Sequence, residues 1–141
     1  DWSSDVCSSD LEALVLFAEG TTGDGVQVLP FRSALVGAAA RALGEGSITL
    51  QPVAIAYTAL HGLPIGRLRM SDVAWHGDMD LAPHLATLVS TGAIDAIVSF
   101  GTPVVLAAAA DRKRVTAAAE AEVRSMVRAV RAARCRAATP A

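Results

Sequence analysis

Three largely apolar runs along the chain predict strands, and the first two of these strands are expected to be buried. The runs cover residues 13–17, 48–57 and 94–100, and each is too short for a typical helix. Pro52 cannot donate to a strand ladder, so we expect an irregular or edge position at that point of the second run. Residues 67–75 carry an ambiguous pattern, with a short strand expected near residues 73–75.

Two segments between these runs have helical periodicity and typical boundary residues. Ser33 is expected to cap a helix that runs to about residue 43, and Asp80 to cap a helix over residues 81–90. A glycine follows each segment and predicts its end, and these glycines are Gly44 and Gly92. Residues 76–78 predict a turn before the second helix.

A longer helix is predicted over residues 112–136, with Asp111 as its cap. Its apolar stripe is predicted to consist of Val115, Ala119, Val123, Met126, Val130 and Ala133. Three bases, Arg124, Arg128 and Arg131, are expected on another face. Strands that alternate with helices predict an α/β layered domain, with a largely parallel or mixed sheet flanked by helices.

Composition narrows the class of protein. The chain has 141 residues, 52% of them hydrophobic, with a net charge of −2. This length suits one domain with its own core. Its longest uncharged stretch is interrupted by polar residues and prolines, so no transmembrane helix is predicted, and the first residues lack the pattern of a signal peptide. Two isolated cysteines, Cys7 and Cys135, favour a reducing, cytoplasmic setting.

Charge is distributed unevenly along the chain. Residues 112–136 carry eight bases against two acids, which is a charge of +6. Such asymmetry is typical either of a solvated helix face or of a segment that meets an anionic partner. Nucleic acid is not expected as that partner, because the arginines are not interleaved with aromatic residues and the overall pI is about 5.9.

A glycine loop, residues 19–25, is the strongest candidate for chemistry. Three of its seven residues are glycines, and it follows a predicted strand, where ligands of α/β sheets commonly bind. The spacing of Gly20 and Gly25 is that of a nucleotide P-loop, but Val26 and Gln27 stand where lysine and a hydroxyl residue are needed. Glu19 is suited to accept a bond from a substrate hydroxyl or to orient a base such as Arg32, although an ordinary glycine turn explains the pattern equally well.

A second polar cluster lies at residues 76–84 and includes two histidines and two aspartates. Its spacing matches no strong metal-ligand signature, and Asp80 already has a role as a helix cap. We therefore predict neither a metal site nor a cofactor.

Three segments in this order resemble the 1-acyl-sn-glycerol-3-phosphate acyltransferase family, a group of lysophospholipid acyltransferases. Residues 16–22 resemble the family's F-P-E-G-T block, with Ala18 in place of the proline. Residues 28–32 are similar to the P-F-K/R segment that follows, and residues 51–55 to a later Pro-Val block. The resemblance implies that Glu19, Gly20, Thr21 and, more weakly, Arg32 bind the acceptor substrate.

The same resemblance implies a catalytic block that these 141 residues do not contain. Family members use a His-x-x-x-x-Asp motif in which the histidine deprotonates the acceptor hydroxyl. The residues five positions after the three histidines here are Gly66, Leu81 and Val89. We therefore expect a chain that lacks its general base and is inactive alone, and we assign no catalytic residue.

The first eleven residues show no periodicity and resemble a translated sequencing adapter. We expect residues 1–11 to be a non-native artefact, residues 12–111 a partial, N-terminally truncated acyltransferase domain, and residues 112–141 a basic amphipathic helix and tail.

The family resemblance implies two substrates and a location. The substrates are a lysophospholipid acceptor and an acyl thioester donor, which is acyl-CoA or acyl-carrier protein. The reaction belongs to phospholipid biosynthesis, and its location is the cytoplasmic face of the membrane. We expect the predicted arginine face to make peripheral contact with anionic lipid. The alternative is a non-catalytic module that binds a phosphorylated ligand or partner.

Overall fold

A computed structural model describes residues 14–42, 47–107 and 111–137. The expectations for residues 1–11 and for Gly44 lie outside the described residues. The elements in chain order are α1 (Ser33–Ala42), β1 (Ile48–Leu50), β2 (Val53–Leu60), β3 (Leu63–Pro64), a 3₁₀ helix (Arg67–Asp72), α2 (Leu81–Thr91), β4 (Ile94–Phe100), β5 (Val104–Leu106) and α3 (Arg112–Ala137).

Helices and strands alternate along the chain, which confirms the predicted α/β class. Within the described residues the strands form two sheets, β3-β2-β4 and β1-β5. Every one of these strand pairs is antiparallel. The sheet content is therefore antiparallel rather than parallel, because β2 and β4 run in opposite directions despite the long helical connection between them.

The predicted strand over residues 48–57 is in fact two strands that belong to different sheets. The chain leaves the first ladder at Gln51 and Pro52, where proline has no N–H to donate. The N–H of Gly101 donates to the carbonyl of Pro52 over 2.8 Å, which joins the corresponding corner between β4 and β5. The irregular position expected at Pro52 is thus confirmed.

The helices follow their predicted limits closely. α2 begins directly after Asp80, although the Asp80 carboxylate makes no cap bond, and α2 ends at Gly92. α3 begins after Asp111, whose carboxylate accepts bonds from the N–H groups of Lys113 (3.0 Å) and Arg114 (3.2 Å). These two bonds confirm Asp111 as the cap.

The core lies between α3 and β2. Ala54 and Ala56 on β2 are 2% and 1% exposed, and their small side chains let the helix approach the sheet. Val28, Phe31 and Met126 pack around this cluster. The buried residues of α3 are Thr116, Ala119, Val123 and Val127. Only part of the predicted stripe is therefore correct, since Ala133 is exposed and Val127 takes a place that the prediction missed.

Two predicted strands are wrong. Residues 14–17 form no strand, and Val15 and Phe17 are 82% and 79% exposed, because no described strand pairs with this segment. Residues 73–75 follow the 3₁₀ helix instead of forming a strand. The N–H groups of Val73 and Ala74 both donate to the carbonyl of Met70, which continues the helical turn.

Candidate functional site

Two glycines give the glycine loop its shape. Gly20 and Gly25 have φ of +68° and +73°, a region that side-chain-bearing residues rarely adopt. A Cβ at Gly20 would lie 2.9 Å from Cδ of Arg32, and a Cβ at Gly25 would lie 2.9 Å from Cγ of Met70. The glycines are thus required both for the turn and for the close approach of neighbouring side chains.

α3 holds this loop in place from the side. The Arg131 guanidinium donates to the main-chain carbonyls of Gly25 and Val26. About three turns earlier on α3, a carboxylate oxygen of Glu120 accepts a 2.8 Å bond from the N–H of Phe31. The two ends of the segment from Gly25 to Phe31 are therefore anchored to the same helix by charged side chains, which make stronger hydrogen bonds than neutral ones.

The four residues predicted to bind the acceptor lie near the start of the loop. Nε of Arg32 donates to the main-chain carbonyl of Glu19 over 3.2 Å. Arg32 is therefore oriented by the main chain of Glu19 and not by its carboxylate. Thr21 is exposed, and Gly20 donates its N–H to the carbonyl of Phe17 over 3.1 Å. Their role in binding stays a prediction.

Glu19 itself sits in a partly buried, charged environment. Burial raises the pKa of its carboxyl above the ordinary value of 4.5. A backbone hydrogen bond from Leu29 and the positive charge of Arg124 lower this pKa, whereas the charge of Glu120 raises it. Glu19 is therefore within electrostatic reach of Arg124 and Glu120 on α3.

A cavity of about 780 Å³ opens between the loop's end, β2, the 3₁₀ helix and α3. Among the described residues that line it, five are arginines, none is acidic, and most of the others are apolar. We call this the arginine cavity, and its arginines are Arg67, Arg124, Arg128, Arg131 and Arg134.

The arginines of the cavity differ in their partners. Arg124 forms an ion pair with Glu120 at 2.8 Å, and Arg134 lies 3.8 Å from Asp95. Arg131 is committed to the loop carbonyls. Within the described part of the chain, Arg67 and Arg128 have neither an ion pair nor a side-chain hydrogen bond.

Burial and like charge both act on Arg131. Burial lowers the pKa of its guanidinium, the neighbouring charge of Arg67 lowers it further, and Asp24 opposes both effects. Arginine keeps its proton at any physiological pH, so the cavity holds fixed positive charge. Among the described residues, the shielded Nε groups of Arg124, Arg131 and Arg134 have no hydrogen-bond acceptor. Unpaired buried donors of this kind are costly.

The sequence pattern placed Arg124, Arg128 and Arg131 on one helix face but missed what that face meets. Arg124 and Arg131 are half-buried in the cavity rather than fully exposed. Arg67 and Arg134 were not predicted as site residues. A helical spacing of three or four links Arg134 to the others, but no sequence signal connects Arg67 to α3.

Other parts of the described chain show no comparable centre. Between residues 14–42, 47–107 and 111–137, no group of three or more histidine, cysteine or acidic residues could hold a metal ion. His84 instead places Nε2 3.4 Å from the carbonyl of Val73. No helix in these ranges combines the length and apolar character needed to span a bilayer.

Comparison with known proteins found no matching family model and no matching solved structure. Three curated relatives do match, and all are named lyso-ornithine lipid O-acyltransferase. The protein from Brucella abortus (strain 2308) is 49% identical over 119 residues, which are 82% of this chain and 45% of the relative. The protein from Rhizobium meliloti (strain 1021) is 41% identical over 122 residues, 84% of this chain and 42% of the relative.

The relative from Rhodobacter capsulatus is 37% identical over 113 residues, 79% of this chain and 39% of its own length. The chain thus spans less than half the length of the curated relatives it matches. None of the three is named for the 1-acyl-sn-glycerol-3-phosphate type that the sequence motifs resemble. Over about four fifths of its length, this chain is similar to lipid acyltransferases whose names specify a lyso-ornithine lipid acceptor.

Proposed function

We propose that this chain forms part of a lipid O-acyltransferase that transfers an acyl group from a thioester to the hydroxyl of a lysolipid. The observation that carries the proposal is its similarity, at 37–49% identity, to three proteins named for that reaction. The motifs in residues 16–32 independently resemble an acyltransferase family. The donor under this proposal is acyl-CoA or acyl-carrier protein.

The proposed acceptor is a lyso-ornithine lipid rather than lysophosphatidate. The names of the three relatives support this choice. An ornithine headgroup carries one carboxylate and one ammonium group, and its carboxylate matches the fork of donors on an arginine side chain. Lysophosphatidate would offer a phosphate to the same donors, so the two acceptors must be separated by experiment.

Glu19, Gly20 and Thr21 are the residues we propose to contact the acceptor near its reacting hydroxyl. The carboxylate of Glu19 can accept a bond from that hydroxyl, and the main chain at Gly20 can be approached closely. The positive φ of Gly20 and the anchoring of the following segment to α3 support a loop of defined shape. A loop held in this way is suited to positioning a substrate.

The transfer forms a C–O ester bond and breaks the C–S bond of the thioester. The acceptor hydroxyl loses its proton to a base, and the leaving thiolate is then protonated. No histidine of this sequence has an aspartate five positions later, so we assign the base to no residue here. On this account the 141-residue chain binds acceptor but does not transfer acyl groups by itself.

Peripheral contact with a membrane belongs to the same proposal, because the substrates are lipids. Bases at the start of α3 are exposed outside the arginine cavity, among them Lys113 and Arg114. Each such base contributes roughly 1 kcal/mol near an anionic surface. We propose the cytoplasmic membrane face as the location.

A chimeric enzyme tests the proposed function directly. Residues 12–141 would replace the matched part of the Brucella abortus relative, which is 49% identical to this chain. We expect the purified chimera to acylate lyso-ornithine lipid from an acyl thioester, measured as radiolabelled product by thin-layer chromatography. A Glu19→Ala variant of the chimera is expected to lose activity, because it removes the side-chain oxygens proposed to accept a bond from the substrate hydroxyl.

The parent relative is the positive control, and the unfused 141-residue chain is the negative control. A folded chimera that transfers nothing, assayed beside an active parent, would contradict the acyltransferase proposal. If that inactive chimera still bound lysolipid, the result would favour a non-catalytic binding module. A preference for lysophosphatidate would contradict the proposed acceptor.

A further inference from the structure

The arginine cavity gathers positive charge from two separate elements. Arg67 comes from the 3₁₀ helix, and the other four arginines come from α3. Arg67 is close enough to Arg131 for its charge to disfavour the protonated form of Arg131. Like charges placed together in a partly buried site cost free energy unless an opposite charge joins them. The described residues compensate only part of this charge.

The two arginines without partners identify the point where an anion would bind. Arg124 and Arg134 have carboxylates nearby, and Arg131 donates to main-chain oxygens. Arg67 and Arg128 line the cavity with all their donors unused in the described part of the chain. Both side chains are exposed at the cavity, so an anion there can reach their guanidinium groups from solvent.

The remaining lining of the cavity is mainly apolar. Val28, Ile65, Met70 and Val127 contribute hydrocarbon surface beside the guanidinium groups. A volume of about 780 Å³ falls within the range of sites that bury most of a drug-sized ligand. Such a lining is unsuited to a bare inorganic anion, because much of the cavity would then hold only water against apolar walls.

We propose that the arginine cavity binds an amphiphilic anion, with a carboxylate or phosphate held by Arg67 and Arg128 and an adjoining hydrocarbon chain against the apolar lining. Identification of this anionic group as the carboxylate of the lyso-ornithine acceptor rests on the proposed function, and the ammonium of that headgroup would point away from the cavity, since none of the described lining residues is acidic. The segment after the glycine loop lines the same cavity through Val26 and Val28, so the cavity adjoins the segment that follows the proposed acceptor residues.

Calorimetric titration of the 141-residue chain with dodecyl phosphate, below its micellar concentration, tests the site without requiring catalysis. We expect saturable binding at one site per chain. In an Arg67→Gln, Arg128→Gln double variant, binding should weaken about a hundredfold, since each lost charge-assisted bond is worth about tenfold. Circular dichroism verifies that each variant is folded.

Two matched controls lie on the same elements but outside the cavity. Arg69→Gln alters the 3₁₀ helix at an arginine that is paired with Asp72 at 3.1 Å. Arg136→Gln alters the exposed last turn of α3. Both controls should bind dodecyl phosphate with unchanged affinity. Equal weakening in the controls and the double variant would overturn the proposal, since only general surface charge would then be involved.

Two further ligands test whether the cavity requires both the anionic group and the hydrocarbon chain. Inorganic phosphate should bind at least about tenfold more weakly than dodecyl phosphate, because it leaves the apolar lining uncovered. Equal affinity would overturn the proposal that the ligand is an amphiphile, because the cavity would then bind a free inorganic anion equally well. Dodecyltrimethylammonium has the same chain and the opposite charge, so it should not compete. Its competition, or the absence of saturable binding by the folded chain, would also overturn the proposal.

The site and the proposed function fail in distinguishable ways. If binding depends on Arg67 and Arg128 but the chimera is inactive, the proposed anion site is supported and the proposed acyltransferase function is contradicted. If the chimera is active and the same two substitutions do not affect it, the acyltransferase function is supported and the proposed anion site is contradicted.

Discussion

The two faces of the sheet formed by β2 and β4 are both apolar, yet only one of them is covered. Ala54 and Ala56 lie beneath α3 and are almost completely buried. On the opposite face, Ile55 is 54% exposed and Phe100 is 72% exposed. The register places Ile55 opposite Val98 on this bare face. Neighbouring exposed residues of this kind are typical of a surface that another element or molecule covers.

The covered face is also the side on which the site is built. α3 seals the core with Val123 and Val127, and it presents Arg124 and Arg131 to the loop and cavity. The same helix therefore both covers the sheet and positions the arginines. We expect substitutions on this face to change both stability and ligand binding, whereas substitutions on the bare face should change neither strongly.

The largest effect is expected for a charge placed beneath α3. Ala54→Asp should lower the free energy of unfolding by roughly 3 kcal/mol or more, because an unpaired carboxylate would be buried. Ile55→Asp, one residue along the same strand, should cost about 1 kcal/mol or less, since its side chain reaches solvent. Urea denaturation measures both. Similar losses for the two variants would contradict the difference between the faces.

A smaller effect is expected from a methyl group in the glycine loop. Gly25→Ala should destabilise the chain by about 2 kcal/mol, through the strained positive φ and the clash with Met70. Gly77→Ala is the matched control, since Gly77 has φ of +63° but no atom within 4 Å of an added Cβ. We expect it to cost about 1 kcal/mol. Equal costs would show that Met70 can move aside.

Loss of an anchor from α3 should loosen the segment after the loop. Glu120→Gln removes the charge that accepts from the N–H of Phe31 and pairs with Arg124, at a cost of about 1 kcal/mol. Hydrogen exchange of the Phe31 amide should accelerate. Glu122→Gln is the control, because Glu122 accepts from Thr102 at the β4–β5 corner instead. Unchanged exchange at Phe31 in Glu120→Gln would refute the anchoring role.

The smallest expected effect concerns the pH dependence of stability. Burial raises the pKa of Glu19 above 4.5, so the folded chain binds more protons than the unfolded chain between 4.5 and that raised pKa. The contribution of Glu19 to the free energy of unfolding therefore falls as pH rises through this window. Glu19→Gln should remove that part of the slope in urea titrations across the window. A slope of unchanged size would contradict the raised pKa.

Local signals predicted the helices well. Asp111 and Gly92 mark boundaries that the structure confirms, because capping and termination depend on a few adjacent residues. The strand over residues 94–100 is also confirmed. The run predicted over residues 13–17 forms no strand in its described part, residues 14–17, since a strand needs a partner and apolar periodicity does not supply one. For the same reason the sequence favoured a largely parallel or mixed sheet, whereas the described strands all pair antiparallel.

The glycine loop was found from sequence because its glycines are adjacent along the chain. The cavity was not, because it depends on contacts between distant residues. Arg131 meets Val26 across 105 positions, and Arg67 joins them from the 3₁₀ helix. Three of its arginines were instead assigned to a membrane-facing surface. Helical spacing shows which residues share a face but does not show what that face meets.

Chemical-shift mapping of the ¹⁵N-labelled chain with dodecyl phosphate tests the central claim most directly, because an amphiphile could choose either apolar region. We expect chemical shifts to change at the cavity, namely in the segment after the glycine loop and at Arg67 and Arg128. The shifts of Ile55 and Phe100 on the bare face should stay unchanged. Changes confined to Ile55, Phe100 and their neighbours would contradict the claim, since the ligand would then be adsorbed on uncovered sheet rather than bound by the arginines.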